Sequence, residues 1–294
     1  MNFERSKIIY LLLACVVLIW GVNYSLLKWA LQEMDPLPFN AIRYTWGSIL
    51  IFSLLLAREG WSPPQKKDLI KLLGLGLLGH ALYQILFIKG IDLTTAGNTA
   101  LILATIPVWT AIISVMMKKE ELSKLAWIGI FLTLGGVFFI TLGSGKKLAL
   151  TGSATVGNLL VSLGAIAWAI YSILSQDLLR RNSPLALTSW AMLAGSACLW
   201  LFAGPDLPRQ AWSTISLKTW AILFFSGTFS IVLAYVVWAA GIRALGASKT
   251  AIFSNATPIV SMIAALLLLG EPIGWLQGIG SAAIIYGVAL TARN

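Results

Sequence analysis

His80, the one histidine of the chain, stands at the head of a run in which Tyr83, Gln84 and Phe87 follow at i+3, i+4 and i+7. In an α-helix that spacing places all four on one face. The imidazole could close a hydrogen bond between helices, or line a cavity where it touches a solute or titrates near neutral pH. Comparable faces recur. Trp20, Asn23 and Tyr24 form one, Trp168, Tyr171 and Ser172 another, and Tyr235 and Trp238 lie one turn apart. Each combines an aromatic plane with a hydrogen-bonding tip, the chemistry that recognises a small amphipathic solute. Arg43 is the one cation set well inside an apolar run. It could snorkel to an interface, pack against backbone carbonyls, or face a cavity and pair with a carboxylate, a solute's own included. No cluster has the spacing of a metal site, and no cofactor is expected.

Two prolines sit mid-run. Pro107 and Pro258 each remove a backbone donor and crowd the carbonyl four residues back, at Leu103 and Ser254. The freed polar groups need partners in an apolar medium. Thr105, Ser254 and Asn255 stand close enough in sequence to provide them. The pair is expected to act as hinges that also line a cavity, against the plainer reading of structural kinks alone. Thirteen tryptophans are many. Trp61, Trp212 and Trp275 fit an interfacial belt, whereas Trp20, Trp109, Trp168 and Trp238 lie too deep in their runs for one. Those four are expected to wall a cavity or pack the core.

The elements that must position these groups are membrane helices. Hydrophobic residues make up 58% of the chain, charged residues 11%, and mean hydropathy is +0.85, whereas a soluble domain carries about 25% charge. Apolar runs of roughly the 20 residues needed to span a bilayer recur near 8–30, 38–57, 70–90, 95–117, 125–143, 155–176, 184–204, 218–239, 249–269 and 274–292. The fold class is therefore all-α integral membrane, with about ten spans. The run at 8–30 is too long for a signal-peptide core and lacks a small-x-small cleavage site, so it is read as a retained first span.

The net charge of +10 could indicate a nucleic-acid partner, but its distribution indicates topology. With the N-terminus inside, fourteen of the 21 Lys and Arg residues fall in cytoplasmic segments and six outside, with Arg43 left in its span. The positive-inside rule then places both termini in the cytoplasm. The lipid bilayer is the expected macroscopic partner, and no nucleic acid is. Cys15 and Cys198 lie in separate spans without CxxC spacing, and are expected to be inert buried thiols.

The second half of the chain repeats the first. A shift of 151 residues superposes Gly90 on Gly241, Thr99-Ala100 on Thr250-Ala251, Pro107 on Pro258, Glu120 on Glu271 and Gly136 on Gly287. It also brings Gln84 onto Tyr235 and Phe87 onto Trp238, while upstream a shift of 148 brings Trp20 onto Trp168. Five spans per copy is an odd number, so the copies, 1–145 and 150–294, must enter the membrane from opposite sides. Inverted repeats of this kind are a transporter architecture, with a solute site near the midplane and two halves that rock to alternate access.

These features resemble the EamA-type permeases of the drug/metabolite transporter superfamily. The resemblance rests on Trp20-Gly21 with Asn23, on Arg43 after Pro38, and on the Gly90–Pro107 and Gly241–Pro258 segments. It rests also on the repeat ends Glu120…Gly129…Gly136 and Gly270-Glu271-Pro272…Gly280…Gly287, and covers nearly the whole chain. It implies export of amino acids, their derivatives or other small metabolites across a bacterial inner membrane. A cavity with aromatic faces and few charges suits aromatic or large neutral amino acids. The closest rival is a lipid or drug translocase of the same fold. Small multidrug pumps related to half of this chain use an intramembrane glutamate, but here Glu4 and Glu33 only bracket the first span. Facilitated diffusion and proton coupling through His80 or water both stay open. An intramembrane enzyme is the distant alternative, since no aspartate pair, HExxH or GxSG lies within a span. The glycine-rich fifth and tenth spans could pack within the bundle or between protomers, leaving monomer and homodimer both open.

Overall fold

In the computed structural model the described residues are 3–117, 123–143, 152–271 and 274–291, and among them every regular element is helical. The chain begins with α1 (Phe3–Ala30) and α2 (Pro36–Glu59). A long rod follows, built from α3 (Lys66–Leu75), a π-helical turn (Gly76–Leu82) and α4 (Tyr83–Leu93). A broken rod of α5 (Ala96–Leu103) and α6 (Ile106–Met116) comes next, then α7 (Lys124–Gly143). The second half runs α8 (Ser153–Leu179), α9 (Pro184–Ala203), and a rod of α10 (Leu217–Phe225), a π-helical turn (Ser226–Leu233) and α11 (Ala234–Leu245). It closes with α12 (Ala247–Ala251), a 3₁₀ segment (Ile252–Ala256), α13 (Thr257–Leu269) and α14 (Trp275–Thr291).

Eight rods are long and apolar enough to cross a membrane among the described residues. They match the expected runs except for 125–143 and 274–292. Those two runs form α7, a helix of 20 residues, and α14, one of 17. The protein is thus a multi-pass helical membrane protein.

Helix starts are written in short-range chemistry. Thr95, Ser183 and Ser216 each accept a hydrogen bond from the backbone N–H three residues on, satisfying a donor the helix cannot. Pro36 and Pro184 occupy first-turn positions where a missing N–H costs nothing.

Burial is inverted relative to a soluble protein. Leu11, Ile70, Leu201 and Leu267 point outward, while Asn23, Asn40, Arg43, His80 and Gln84 are buried. Lipid solvates the leucines, so polar groups and close packing hold the bundle together. The packing depends on glycine. A Cβ at Gly136 would stand 2.7 Å from the Gly280 carbonyl oxygen, and one at Gly287 would stand 2.5 Å from that of Gly129. Only bare backbone lets α7 and α14 approach so closely. The thiols do not meet the expectation of two buried groups: both are free, Cys15 on the exposed face of α1 and Cys198 half-buried. Their helices turn those positions outward, where an apolar thiol costs nothing against lipid.

Candidate functional site

Both prolines fall where a helix is interrupted. At the first, residues 104–105 form a turn, with Pro107 in the opening turn of α6. At the second, the 3₁₀ segment ends just before Pro258, in the opening turn of α13. Around each break hydroxyls donate to local carbonyls, Thr105 Oγ1 to Ile102 O at 2.7 Å and Ser254 Oγ to Ala251 O at 2.7 Å, while Ser254 O itself accepts from Thr257 N. The expected clash with Leu103 and Ser254 is thereby avoided: the helix breaks and restarts with proline at a tolerated position.

Between these breaks, the middles of α1, α2 and α8, and the starts of α4 and α11 lies a cavity of about 30 Å³. It is lined by ten of the expected site residues: Trp20, Asn23, Tyr24, Arg43, Tyr83, Gln84, Phe87, Trp168, Tyr235 and Ser254. Space for a water needs about 10–15 Å³, so the cavity admits one or two waters and no larger solute. Trp168 is 2% exposed and forms the hub of its aromatic wall. Its ring centroid lies 4.8 Å from Tyr83, 4.9 Å from Tyr171, 5.0 Å from Tyr235 and 6.3 Å from Trp20, the last edge-on. Trp20 is fixed by its indole N–H, which donates to Ser230 O at 2.9 Å.

Arg43 neither snorkels nor pairs with a carboxylate. It is 1% exposed and held by neutral oxygens. Nη1 donates to Ser226 Oγ at 3.0 Å, and Nη2 to Asn40 Oδ1 at 2.6 Å and Gln84 Oε1 at 2.8 Å. Gln84 spends its amide N–H on Tyr235 Oη at 2.6 Å, and Tyr44 Oη donates to the same phenol at 3.3 Å. Burying an unpaired cation is costly. The network spreads its charge over charge-assisted hydrogen bonds.

The expected single face of His80, Tyr83, Gln84 and Phe87 is split. His80 lies in the π-helical turn, whose i→i+5 bonding places more residues in each turn and rotates it away from the three that follow. The imidazole is fully buried outside the cavity wall, Nε2 3.3 Å from Tyr171 Oη, with Nδ1 unpartnered. Its ring instead packs on Tyr44, Tyr171 and Tyr235. Tyr171 and Trp238 stand behind the wall too, where the Trp238 indole N–H donates to Ser172 Oγ at 3.4 Å. Trp109 turns its N–H to Thr105 Oγ1 at 3.1 Å and does not line the cavity, nor does Asn255.

Asn40, Tyr44 and Ser226, which hold the Arg43 network, are absent from the expected set, as are the lining residues Ser230 and Thr257. Asn40 was detectable in principle as the amide one turn before Arg43. The hydroxyl residues were not, because serine and threonine are common in membrane helices and bond to their own backbone.

A polar clasp joins the start of α5 to residues 271 and 277, and the C-terminal end of α1 to that of α4. The Glu271 carboxylate accepts from Ala96 N at 3.2 Å and Gly97 N at 3.3 Å, capping α5. Gln277 Nε2 donates to Asn98 Oδ1 at 2.6 Å, and Lys28 Nζ donates to Ile91 O at 3.1 Å and to Asp92 O. Glu120, the partner of Glu271 in the self-match, lies outside the described residues. Elsewhere Arg181 pairs with Asp68 at 2.7 Å.

This arrangement of helices is not unique to the chain. A crystal structure superposes with a TM-score of 0.71 at 19% identity, covering 96% of this chain and 97% of the other, which shows a shared fold. The uncharacterized transporter YyaM of Bacillus subtilis (strain 168) is 30% identical over 287 residues, spanning 97% of this chain and 93% of the relative. An uncharacterized transporter of Archaeoglobus fulgidus is 27% identical over 97% of this chain and 99% of its own length. The EamA-like transporter family model matches twice, at residues 7–142 and 155–293. With nearly the whole length accounted for in two consecutive matches, the chain belongs to the EamA-like transporter family and is a membrane transporter.

Proposed function

We propose that this transporter exports amino acids, aromatic or large neutral ones first, by alternating access between two inverted five-helix halves. The observation that carries the solute class is the cavity wall: aromatic rings gathered around Trp168, with amides, hydroxyls and one cation. At about 30 Å³ the cavity holds no amino acid, so the halves must part to load one. This shape fits an occluded stage of an alternating cycle.

Support for inversion comes from contacts that exchange under the sequence shift. Gly76 backs onto Ala191 O and Ala194, whereas Gly227, 151 residues on, backs onto Arg43 O and Trp46, each 148 residues before its counterpart. Gly90 faces Val161 and Gly241 faces Leu13, again 148 apart. The Gly136–Gly280 and Gly287–Gly129 pairs exchange in the same way. Both π-helical turns fall at matching positions. Swapped neighbours are what a two-fold axis in the membrane plane would produce. In this reading the halves are 1–145 and 150–294, with α7 and α14 as fifth and tenth spans. Pro107 and Pro258 serve as hinges, and both termini lie in the cytoplasm of a bacterial inner membrane. A translocase for lipids would want a lateral opening with a cation for the headgroup. The groove between α2 and α9, about 380 Å³, is lined by Thr45, Ser48, Phe52 and Trp200 among others and has no charged residue.

Flux of radiolabelled amino acids from proteoliposomes tests the proposal. Phenylalanine, tyrosine, tryptophan and leucine are expected to move, with Trp168→Ala reducing flux at least tenfold and His80→Ala less. Absence of any amino-acid flux in wild-type protein that is folded by its melting transition would sink it.

A further inference from the structure

Three buried polar atoms of cavity-lining residues have no hydrogen-bond partner within the protein: Arg43 Nε, Asn23 Oδ1 and Thr257 Oγ1. They come from three different elements, α2, α1 and the first turn of α13. The remaining network is nearly complete around them, since three of the five guanidinium N–H groups are already committed to Ser226, Asn40 and Gln84. Buried polar groups without partners are uncommon and call for an explanation.

Their chemistry is complementary. A guanidinium N–H only donates, an amide oxygen only accepts, and a hydroxyl does either. No aspartate or glutamate lines the cavity, so the Arg43 charge has no internal counter-ion there. Asn23 and Thr257, conversely, present oxygens that a cationic N–H group would satisfy, in a cavity lined also by Trp20, Tyr24 and Trp168, rings of a kind that attracts such a group. A solute that fills all three vacancies has an anionic end, an N–H-rich end and an apolar body. An α-amino acid is the smallest common molecule of that description.

We infer that Arg43 selects the carboxylate of the solute, while Asn23 and Thr257 select its ammonium group. The cavity therefore discriminates zwitterions from analogues with one charged end. This assignment rests on the amino-acid reading above. It goes further by making Arg43 and Asn23 specificity determinants for the two opposite charges of the solute. A site built to pair a polar group rejects the analogue lacking it, because the protein's own group is then left buried and unpaired.

The test is ligand-induced stabilisation of the purified full-length protein, titrated with L-phenylalanine, phenylpropionate and phenylethylamine. Binding to the folded state stabilises it by RT ln(1 + L/Kd), with L the free ligand concentration, and thereby raises the melting temperature, so no transport is needed for the readout. Wild-type protein is expected to bind phenylalanine at least about tenfold more tightly than either analogue. Arg43→Gln is expected to weaken phenylalanine and phenylpropionate by tenfold or more, with phenylethylamine unchanged. Asn23→Ala and Thr257→Val are expected to weaken phenylalanine and phenylethylamine and to spare phenylpropionate. Should Arg43→Gln not fold, the wild-type comparison and the other two variants still decide. Equal wild-type affinity for phenylalanine and phenylethylamine overturns the inference, as do variants that weaken all three ligands alike. Those results leave the amino-acid reading standing. If phenylalanine and a panel of other amino acids neither bind nor move, that reading falls and the polar assignment falls with it.

Discussion

The two halves share a backbone design and divide the chemistry unequally. Around the first π-helical turn stand Asn40, Arg43, Tyr44, His80 and Gln84. At the matching positions of the second half stand Thr188, Ala191, Met192, Ile231 and Tyr235. Glycines that bring helices together recur in both halves, whereas the cation, its amides and the imidazole occur once. The difference teaches that packing and recognition are under separate control. Repeated small residues preserve the close approaches that both halves need. Unique polar side chains give the cavity a direction, with Arg43 on one wall and no counterpart opposite. An asymmetric solute requires such a wall, and a symmetric pair of halves does not supply it.

The comparison breaks most readily at matched glycines. A Cβ on Gly195 would lie 2.4 Å from His80 Cβ and 2.7 Å from the His80 carbonyl carbon, neither of which can retreat without moving the π-helical turn. On Gly47 the nearest atom would be Met192 Cε, the mobile tip of a flexible side chain, at 3.2 Å. Gly195→Ala is therefore expected to cost about 3 kcal/mol, the upper range for overpacking, and Gly47→Ala less than about 1 kcal/mol. Melting temperatures of the two variants in detergent measure this. Equal losses would mean that the two π-helical turns are seated alike, against the different close approaches at Gly195 and Gly47.

Next in size are the two repeat-equivalent residues that touch each other, Gln84 and Tyr235. Gln84→Leu withdraws an acceptor from the buried Arg43 and a donor from the Tyr235 phenol. A loss of about 2–3 kcal/mol follows from stripping a partner from a charged group. Tyr235→Phe leaves the guanidinium bonds intact and removes only neutral ones, with an expected cost of about 1 kcal/mol. Reversal of this order in chemical unfolding would show that the phenol, not the cation, organises the network.

The elements were largely legible in the sequence because each rests on local signals. Apolar runs of spanning length, N-caps at Thr95, Ser183 and Ser216, and prolines at helix starts all act within a few residues. Ten of the fifteen proposed cavity residues do line the cavity, since aromatic and polar side chains deep in an apolar run have few other places to go. The misplacement of His80 has its origin in the backbone. A 3.6-residue period was projected through Gly76–Leu82, where the backbone is π-helical, so His80 was placed on the wrong face. Nothing local announces that turn. It is selected by the approach of Gly76 and Gly195 to neighbouring backbones, which is a property of the packed bundle. Trp109 differs for a local reason: its depth in the run suggested a cavity wall, while its indole N–H is taken by Thr105 one turn back.

A weaker contrast concerns the two carboxylates that cap helices from outside their own segment. Glu271 accepts from the first amides of α5, and Glu271→Gln keeps one acceptor while losing the charge that favours a helix N-terminus. The expected cost is about 0.3–1 kcal/mol. If this clasp holds one end of the cavity shut, the variant also exchanges labelled solute faster. Unchanged stability together with unchanged flux would remove the clasp from any gating role.

Glu33 is expected to show the smallest effect, and its sign is fixed by its contacts. Its carboxylate accepts from Ser216 N at 2.8 Å and Thr219 Oγ1 at 2.8 Å. These bonds, chiefly the backbone one and aided by nearby Lys218, hold it below its ordinary value of 4.5. A carboxylate depressed in the folded state stabilises the fold fully above its unfolded pKa, and that contribution fades as pH falls through the folded value. Because the group sits in water at the bundle surface, screening keeps the effect slight. Melting temperature measured from pH 7 down to pH 3 is therefore expected to fall less steeply in Glu33→Gln than in wild type, with the curves converging at the acid end. A variant curve that parallels wild type throughout would show that Glu33 gains nothing from capping α10. The acid sensitivity of the fold would then lie in other carboxylates.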